Sequence, residues 1–148
     1  MDSEKVTEAE LTELLALAAS VAANAYAPYS GFRVGAAVLG ESGTYVGTNV
    51  ENACGGLGIC AERSAMSAAI AAGDRRIRAI AVACIDAILE HGMDEIVPCG
   101  ACRQWLVELA PNAIIAIHGS ERLFRLEELM PNPYRLQHWG GKPEEAGK

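Results

Sequence analysis

Leu11, Leu14, Leu15, Ala18, Val21, Ala22 and Ala25 recur at three- and four-residue intervals, the period of a helix with one apolar face. Just ahead of them, Thr7-Glu8-Ala9-Glu10 has the capping-box pattern, a hydroxyl three residues before a glutamate. The spacing predicts a helix that runs to about Tyr26, because Pro28 disfavours helical geometry in the residue before it. Residues 33–39 read as a strand, Glu41-Ser42-Gly43 as a hairpin turn and residues 44–50 as the partner strand. Residues 52–58 contain three glycines and read as loop. The alanine-rich residues 60–72 read as a helix closed by Gly73. Residues 79–85 form an apolar run short enough for a buried strand. Pro98 suits the first turn of a further helix, which reaches about Ala110 before Pro111. Residues 113–118 read as a strand, followed by a short strand at Leu123-Phe124 and a helical turn at 127–130. The order is α/β with a mixed sheet, in which an antiparallel hairpin joins crossover strands covered by helices.

Composition narrows this picture. A chain of 148 residues is one domain by length, placed at 1–139, with a polar, Gly/Pro/Glu/Lys-rich tail at 140–148 expected to be disordered. Abundant alanine with few aromatics predicts close helix packing and buried subunit contacts. A net charge of −7 argues against a surface that tracks nucleic-acid phosphates, which needs clustered Lys and Arg. The one basic cluster, Arg75-Arg76-Ile77-Arg78, reads as the end of a helix, where cations suit the dipole. The first residues do not resemble a secretory signal, and no apolar run of about 20 residues predicts a membrane span. Five cysteines, an odd number, predict a reducing, cytoplasmic setting with thiols free or metal-bound.

Three of those cysteines carry the chemistry. Cys60-Ala61-Glu62-Arg63 and Pro98-Cys99-Gly100-Ala101-Cys102 together follow the zinc-deaminase signature of a ligand-x-Glu followed by Pro-Cys-x-x-Cys. Cys60, Cys99 and Cys102 are the expected zinc ligands, and three protein ligands leave a fourth position for water. Both motifs fall where a helix begins, and a helix N-terminus favours negative charge and lowers thiol pKa. Arg63 is placed to donate to a ligating sulfur and offset its charge. Positions i and i+2 do not share a helix face, so Cys60 and Glu62 can share a site only within a first turn. The chemistry that follows is hydrolytic deamination, with Glu62 moving the proton. Two other readings stay open: a Cys-x-x-Cys redox pair, and a structural zinc with Cys54 as a fourth ligand, Cys84 being placed in the core. His91, His118 and His138 lie in no metal spacing with one another or with cysteine.

From about Tyr26 to Leu109 the chain resembles the small cytidine deaminases. The resemblance is carried by Ala27-Pro28-Tyr29-Ser30, Val34-Gly35-Ala36-Ala37, Asn49-Val50-Glu51-Asn52-Ala53 and the two cysteine motifs, the second extended by Arg103-Gln104. It implies a three-layer α/β/α sandwich with a five-stranded sheet, and a homotetramer whose active sites are completed by neighbouring subunits. It also implies conversion of cytidine and deoxycytidine to their uridine forms with release of ammonia, a step of pyrimidine salvage. For residues, it implies Phe32 against the pyrimidine, Asn49 and Glu51 on the ribose hydroxyls, and Ala61 and Tyr134 among the substrate contacts. Two departures stand out. Gly55-Gly56-Leu57 replaces a segment that usually begins with tyrosine, which either remodels the loop, with another aromatic filling the space, or opens a roomier pocket for modified pyrimidine nucleosides. Near the C-terminus, Tyr134 stands where the family usually has phenylalanine. The glycine pair also resembles blasticidin S deaminase, which acts on an aminoacylated cytosine nucleoside; the Asn49/Glu51 pair favours an ordinary sugar.

Overall fold

The structure is a computed structural model, and it describes residues 5–136. The element order is α1 (Glu8–Ala22), β1 (Val34–Gly40), β2 (Thr44–Thr48), α2 (Ala61–Ala71), β3 (Ile77–Cys84), α3 (Gly100–Leu109), β4 (Ile114–Ile117), β5 (Leu123–Phe124) and α4 (Leu126–Leu129). Short 3-10 turns lie at Gly55–Leu57, Leu89–His91 and Met93–Glu95. The five strands form one sheet in the order β2-β1-β3-β4-β5. Only β3 and β4 run parallel; β1/β2, β1/β3 and β4/β5 are antiparallel. The expected mixed five-stranded α/β sandwich is the fold observed.

The two faces of the sheet differ in the size of their side chains. Ala37, Ala79, Ala81, Ala83 and Ala116 face Leu14 and Ala18 of α1. The alternate positions, Ala36, Val38, Ile80, Val82, Ile115 and Ile117, pack with Met66 of α2 and Leu106 of α3. Period-two alternation therefore sorts small residues to one face and mostly larger ones to the other. Small side chains let α1 approach closely. A Cβ at Gly35 would lie 2.7 Å from the Ala22 backbone nitrogen. Gly47 does the same for α2, where a Cβ would lie 2.8 Å from the Ala61 carbonyl oxygen. The alanine content is thus explained by helix-to-sheet distance.

Thr7 caps α1 as expected: its Oγ1 accepts from the Glu10 amide while Glu10 Oε2 accepts from the Thr7 amide. The helix ends at Ala22, short of the expected Tyr26, because the Tyr26 amide donates to the Asn49 carbonyl and the Tyr26 carbonyl accepts from Glu51 N–H. Non-local pairing takes the groups that a longer helix would use. Pro98 lies before α3 rather than in its first turn: Cys99 is the extended cap residue, and the buried Pro98 carbonyl accepts from Arg103 Nε at 2.7 Å. The basic cluster is split. Arg75 donates to the Ile70 carbonyl at the end of α2, whereas Arg78 belongs to β3 and bonds Glu10. The expected disordered tail at 140–148, and His138, lie outside the described residues.

One polar anchor has no forerunner in the sequence reading. Asp74, buried after α2, accepts from the Glu41, Ser42 and Arg76 amides and from the Tyr45 hydroxyl. Burial pushes its carboxyl up, but the backbone donors from Ser42, Arg76 and Glu41 outweigh that and hold it below the usual range. It ties the β1–β2 turn to the α2–β3 turn. Among the described residues no helix is long and apolar enough to cross a membrane.

Candidate metal centre and substrate cleft

Cys60 and Cys99 are the cap residues of α2 and α3, both extended, at φ/ψ of −77°/155° and −67°/168°. Cys102 lies in the first turn of α3 and is buried. The three sulfurs lie within 4.8 Å of one another, with Cys60 Sγ and Cys99 Sγ 3.6 Å apart. Zinc–sulfur bonds of about 2.3 Å at tetrahedral angles demand a sulfur–sulfur spacing near ~3.8 Å. The donor set therefore fits zinc, which Cys60, Cys99 and Cys102 would hold. Cys54, exposed in the glycine loop, and Cys84, half-buried at the end of β3, are not in the cluster. Among the described residues the cluster thus offers three ligands, one short of a closed structural site.

Glu62 follows in the first turn of α2, the placement that its two-residue spacing from Cys60 requires, and is only 5% exposed. Burial, with the nearby Cys60 charge, pushes its carboxyl up to about 7, against the pull of its own backbone N–H, Cys102 and Arg63. Cys60 is brought down to about 5 by hydrogen bonds from Cys102, Arg63 and Cys99, together with the Arg63 charge. Cys102 moves the opposite way, because its hydrogen bond to Cys60, its burial and the nearby charges all favour the neutral thiol. Of these two, Cys60 is the one the site favours as a thiolate without a cation. Arg63 Nη2 donates to Cys60 Sγ at 3.6 Å, the contact anticipated for it, while Arg63 Nε is buried without an acceptor among the described residues.

Beside the cluster lies a cleft of about 400 Å³ whose lining includes Tyr29, Asn49, Glu51, Gly55, Cys60 and Arg63. The Val50–Ile59 bridge draws the Asn49–Glu51 segment toward Cys60. Asn49 and Glu51 also hold the loop opposite. Asn49 Oδ1 accepts from Val34 N and Asn49 Nδ2 donates to the Phe32 carbonyl, both at 2.8 Å. Glu51 accepts from the Tyr29 and Ser30 amides and from Ser30 Oγ. The Ser30 hydroxyl is the first of the contacts that hold the Glu51 carboxyl below its ordinary value.

The other expected contact residues lie outside this cleft's lining. Phe32 is half-buried in the loop that Asn49 and Glu51 hold. The Ala61 side chain belongs to the core cluster, which leaves its backbone for any substrate contact. Tyr134 is 69% exposed, with its carbonyl accepting from Gln104 Nε2 at 2.9 Å. Sequence reasoning missed Ser30 as a partner of Glu51. A larger groove of about 590 Å³, lined by Ile70, Gln104, Trp105 and Leu109, lies on α2 and α3 and includes none of the three cysteines.

A cleft beside three clustered sulfurs and a buried acid, on a mixed sheet between helical layers, defines the class: a zinc-dependent deaminase of the α/β type. The family model described as the cytidine and deoxycytidylate deaminase zinc-binding region matches residues 8–118, and the chain belongs to that family. It is 42% identical over 120 residues to a cytidine deaminase of Mycobacterium tuberculosis, covering 80% of this chain and 85% of that one. It is 43% identical over 118 residues to a cytidine deaminase of Halalkalibacterium halodurans, covering 76% and 85%. Among solved structures, the cytidine deaminase from Burkholderia pseudomallei superposes with a TM-score of 0.72 at 37% identity, covering 87% of this chain and 100% of that chain.

Proposed function

We propose that this protein is a cytidine deaminase of pyrimidine salvage, hydrolysing cytidine and deoxycytidine to their uridine forms and ammonia. The observation that carries this reading is the buried Glu62 carboxyl in the same helical turn as Cys60 of the three-sulfur cluster. When bound, zinc supplies the Lewis acidity that lowers the pKa of water toward neutrality. Glu62 then has the proton work. Buried in the first turn of α2, it accepts a proton from the attacking water and returns it to the ring nitrogen. It next assists the amine to leave. A carbon–oxygen bond forms, the carbon–nitrogen bond breaks, and one water is consumed for each ammonia released. Arg63 offsets charge on the Cys60 sulfur, which keeps three thiolates from quenching the metal's acidity. Asn49 and Glu51 hold the sugar, and Phe32 and Tyr134 are assigned to the base.

The same reading assigns a homotetramer with shared sites. It is supported by the apolar groove around Trp105, 37% exposed, and by a Tyr134 ring that does not line its own chain's cleft. A reducing, cytoplasmic setting is supported by three cysteines gathered as a metal-ligand set.

A second reading, turnover of modified or aminoacylated cytosine nucleosides, is favoured by one observation. Gly55 lines the cleft, and a Cβ at Gly55 or Gly56 would meet nothing within 4 Å. The test is deamination followed by ultraviolet absorbance on cytidine, deoxycytidine, 5- and N4-substituted cytidines and blasticidin S. Turnover of cytidine, abolished in Glu62→Gln, supports salvage. Turnover of the bulky members alone moves the assignment to modified nucleosides. No turnover by zinc-loaded protein refutes both.

A further inference from the structure

Ser30 lies in the exposed loop between α1 and β1, yet its hydroxyl makes two of the loop's decisive contacts. It donates to Glu51 Oε2 at 2.6 Å and accepts from Phe32 N–H at 3.0 Å. The first is a short, charge-assisted bond. Glu51 Oε1 accepts from Tyr29 N at 3.0 Å and Ser30 N at 3.1 Å. A carboxylate has about four acceptor directions, so three are taken and one, on Oε2, is left for a ligand. The oxygen with the free direction is the one that Ser30 holds. The Phe32 backbone is held at both polar groups, its N–H by Ser30 and its carbonyl by Asn49 Nδ2.

We propose that Ser30 is a positioning residue for the nucleoside's sugar: its hydroxyl sets the orientation of Glu51, and ties that carboxylate to the backbone of Phe32, before substrate arrives. This rests on the nucleoside-deaminase reading above. Glu51 lines the cleft together with Cys60, so its orientation sets the distance from a bound sugar hydroxyl to the metal centre. The cost of ordering this carboxylate falls on folding rather than on binding, which is the general route by which preorganisation raises affinity. Losing the Ser30 hydroxyl leaves Glu51 with its two amide donors but frees Oε2. The loss should appear in binding a substrate with sugar hydroxyls and not in the proton work of Glu62.

The experiment compares wild-type protein, Ser30→Ala and Ser30→Thr on cytidine and on 2′,3′-dideoxycytidine, which lacks both ring hydroxyls. Ser30→Ala is expected to raise KM for cytidine up to about tenfold, the cost of ordering on binding a side chain that the hydroxyl no longer holds. Its kcat should stay within about twofold, since the interaction acts in ground and transition states alike. KM for dideoxycytidine should hardly move, and Ser30→Thr should restore cytidine KM. Equal losses on both substrates, a kcat that falls with KM held, or unchanged cytidine KM each overturn the proposal. Should Ser30→Ala fail to fold or to hold zinc, Ser30→Cys gives the same comparison with a weaker donor. It is expected between serine and alanine on cytidine alone, and an equal effect on dideoxycytidine again overturns the proposal. Wild-type protein inactive on every cytosine nucleoside is a separate result, which refutes the functional reading and this inference with it.

Discussion

Replacing Glu62 by glutamine should stabilise the metal-free protein while abolishing turnover. The ordinary carboxyl value of 4.5 is raised to about 7 in the fold, mainly by burial. A raised acid binds its proton more tightly folded than unfolded. Below the unfolded value both states are protonated, and the carboxyl carries no penalty relative to a neutral amide. As pH rises through the window from 4.5 to about 7 the folded state must either hold the proton or bury a charge, and stability is lost. At 1.36 kcal/mol for each unit, the full penalty is about 3 kcal/mol; it is reached near pH 8 and is below about 1 kcal/mol at pH 5. The assay is urea unfolding of zinc-stripped wild type and Glu62→Gln at both pH values, at one protein concentration. With a urea slope of roughly 2 kcal/mol per molar, the midpoint at pH 8 should rise by about 1.5 M and that at pH 5 by much less. A variant no more stable than wild type at pH 8, or equally stabilised at both pH values, would refute the reasoning. Zinc adds positive charge beside the carboxylate, so loading the metal should shrink the gain.

Other outcomes follow from the packing. Gly47→Ala should cost about 1–3 kcal/mol by overpacking α2 against β2, and should lower zinc content, because the displaced helix carries Cys60 and Glu62; thermal unfolding and metal analysis read both. Gly35→Ala should cost a similar amount through α1 but leave zinc content near wild type, since α1 carries no ligand. Asp74→Ala should destabilise by about 1 kcal/mol by removing the acceptor of part-buried amides in two turns. The folded-state value of Asp74 is depressed, so its contribution is present at neutral pH and is lost as pH falls through the carboxylate range; the variant and wild type should converge in acid denaturation. Chelation should remove cytidine turnover and added zinc should restore it, while Cys102→Ala should not recover.

What could be read from the chain was local. The Thr7/Glu10 cap, the placement of Glu62 in a first turn beside Cys60 and the Cys99/Cys102 spacing at the start of α3 depend on neighbours within a few residues, and the structure has each of them. The early end of α1 was not legible, because the groups that stop it belong to Asn49 and Glu51, more than 20 residues away. Asp74 was invisible for the same reason: its amide partners at Glu41 and Ser42 are 33 and 32 residues distant. Pro98 fits a first-turn pattern, but the extended Cys99 that follows it makes it the residue before the cap. The loop-holding contacts of Asn49 and Glu51 arise from a loop that folds back across them, which residue type alone does not reveal.

The halves of the sulfur cluster are separated by 39 residues, from Cys60 to Cys99, with all of β3 between them. Closing a loop of that length costs roughly 3 kcal/mol of chain entropy by the logarithmic rule. A metal held across it acts as a removable staple, fastening the starts of two helices whose bodies already share one core. Timing during synthesis follows. Glu62 and Cys60 leave the ribosome long before Cys99 and Cys102, and β4, the parallel partner of β3, leaves later still. Until then a nascent chain offers zinc one cysteine of the cluster beside an acid, a poor trap for any metal. Retained zinc in a newly made chain is therefore a record that the start of α3 has joined the start of α2.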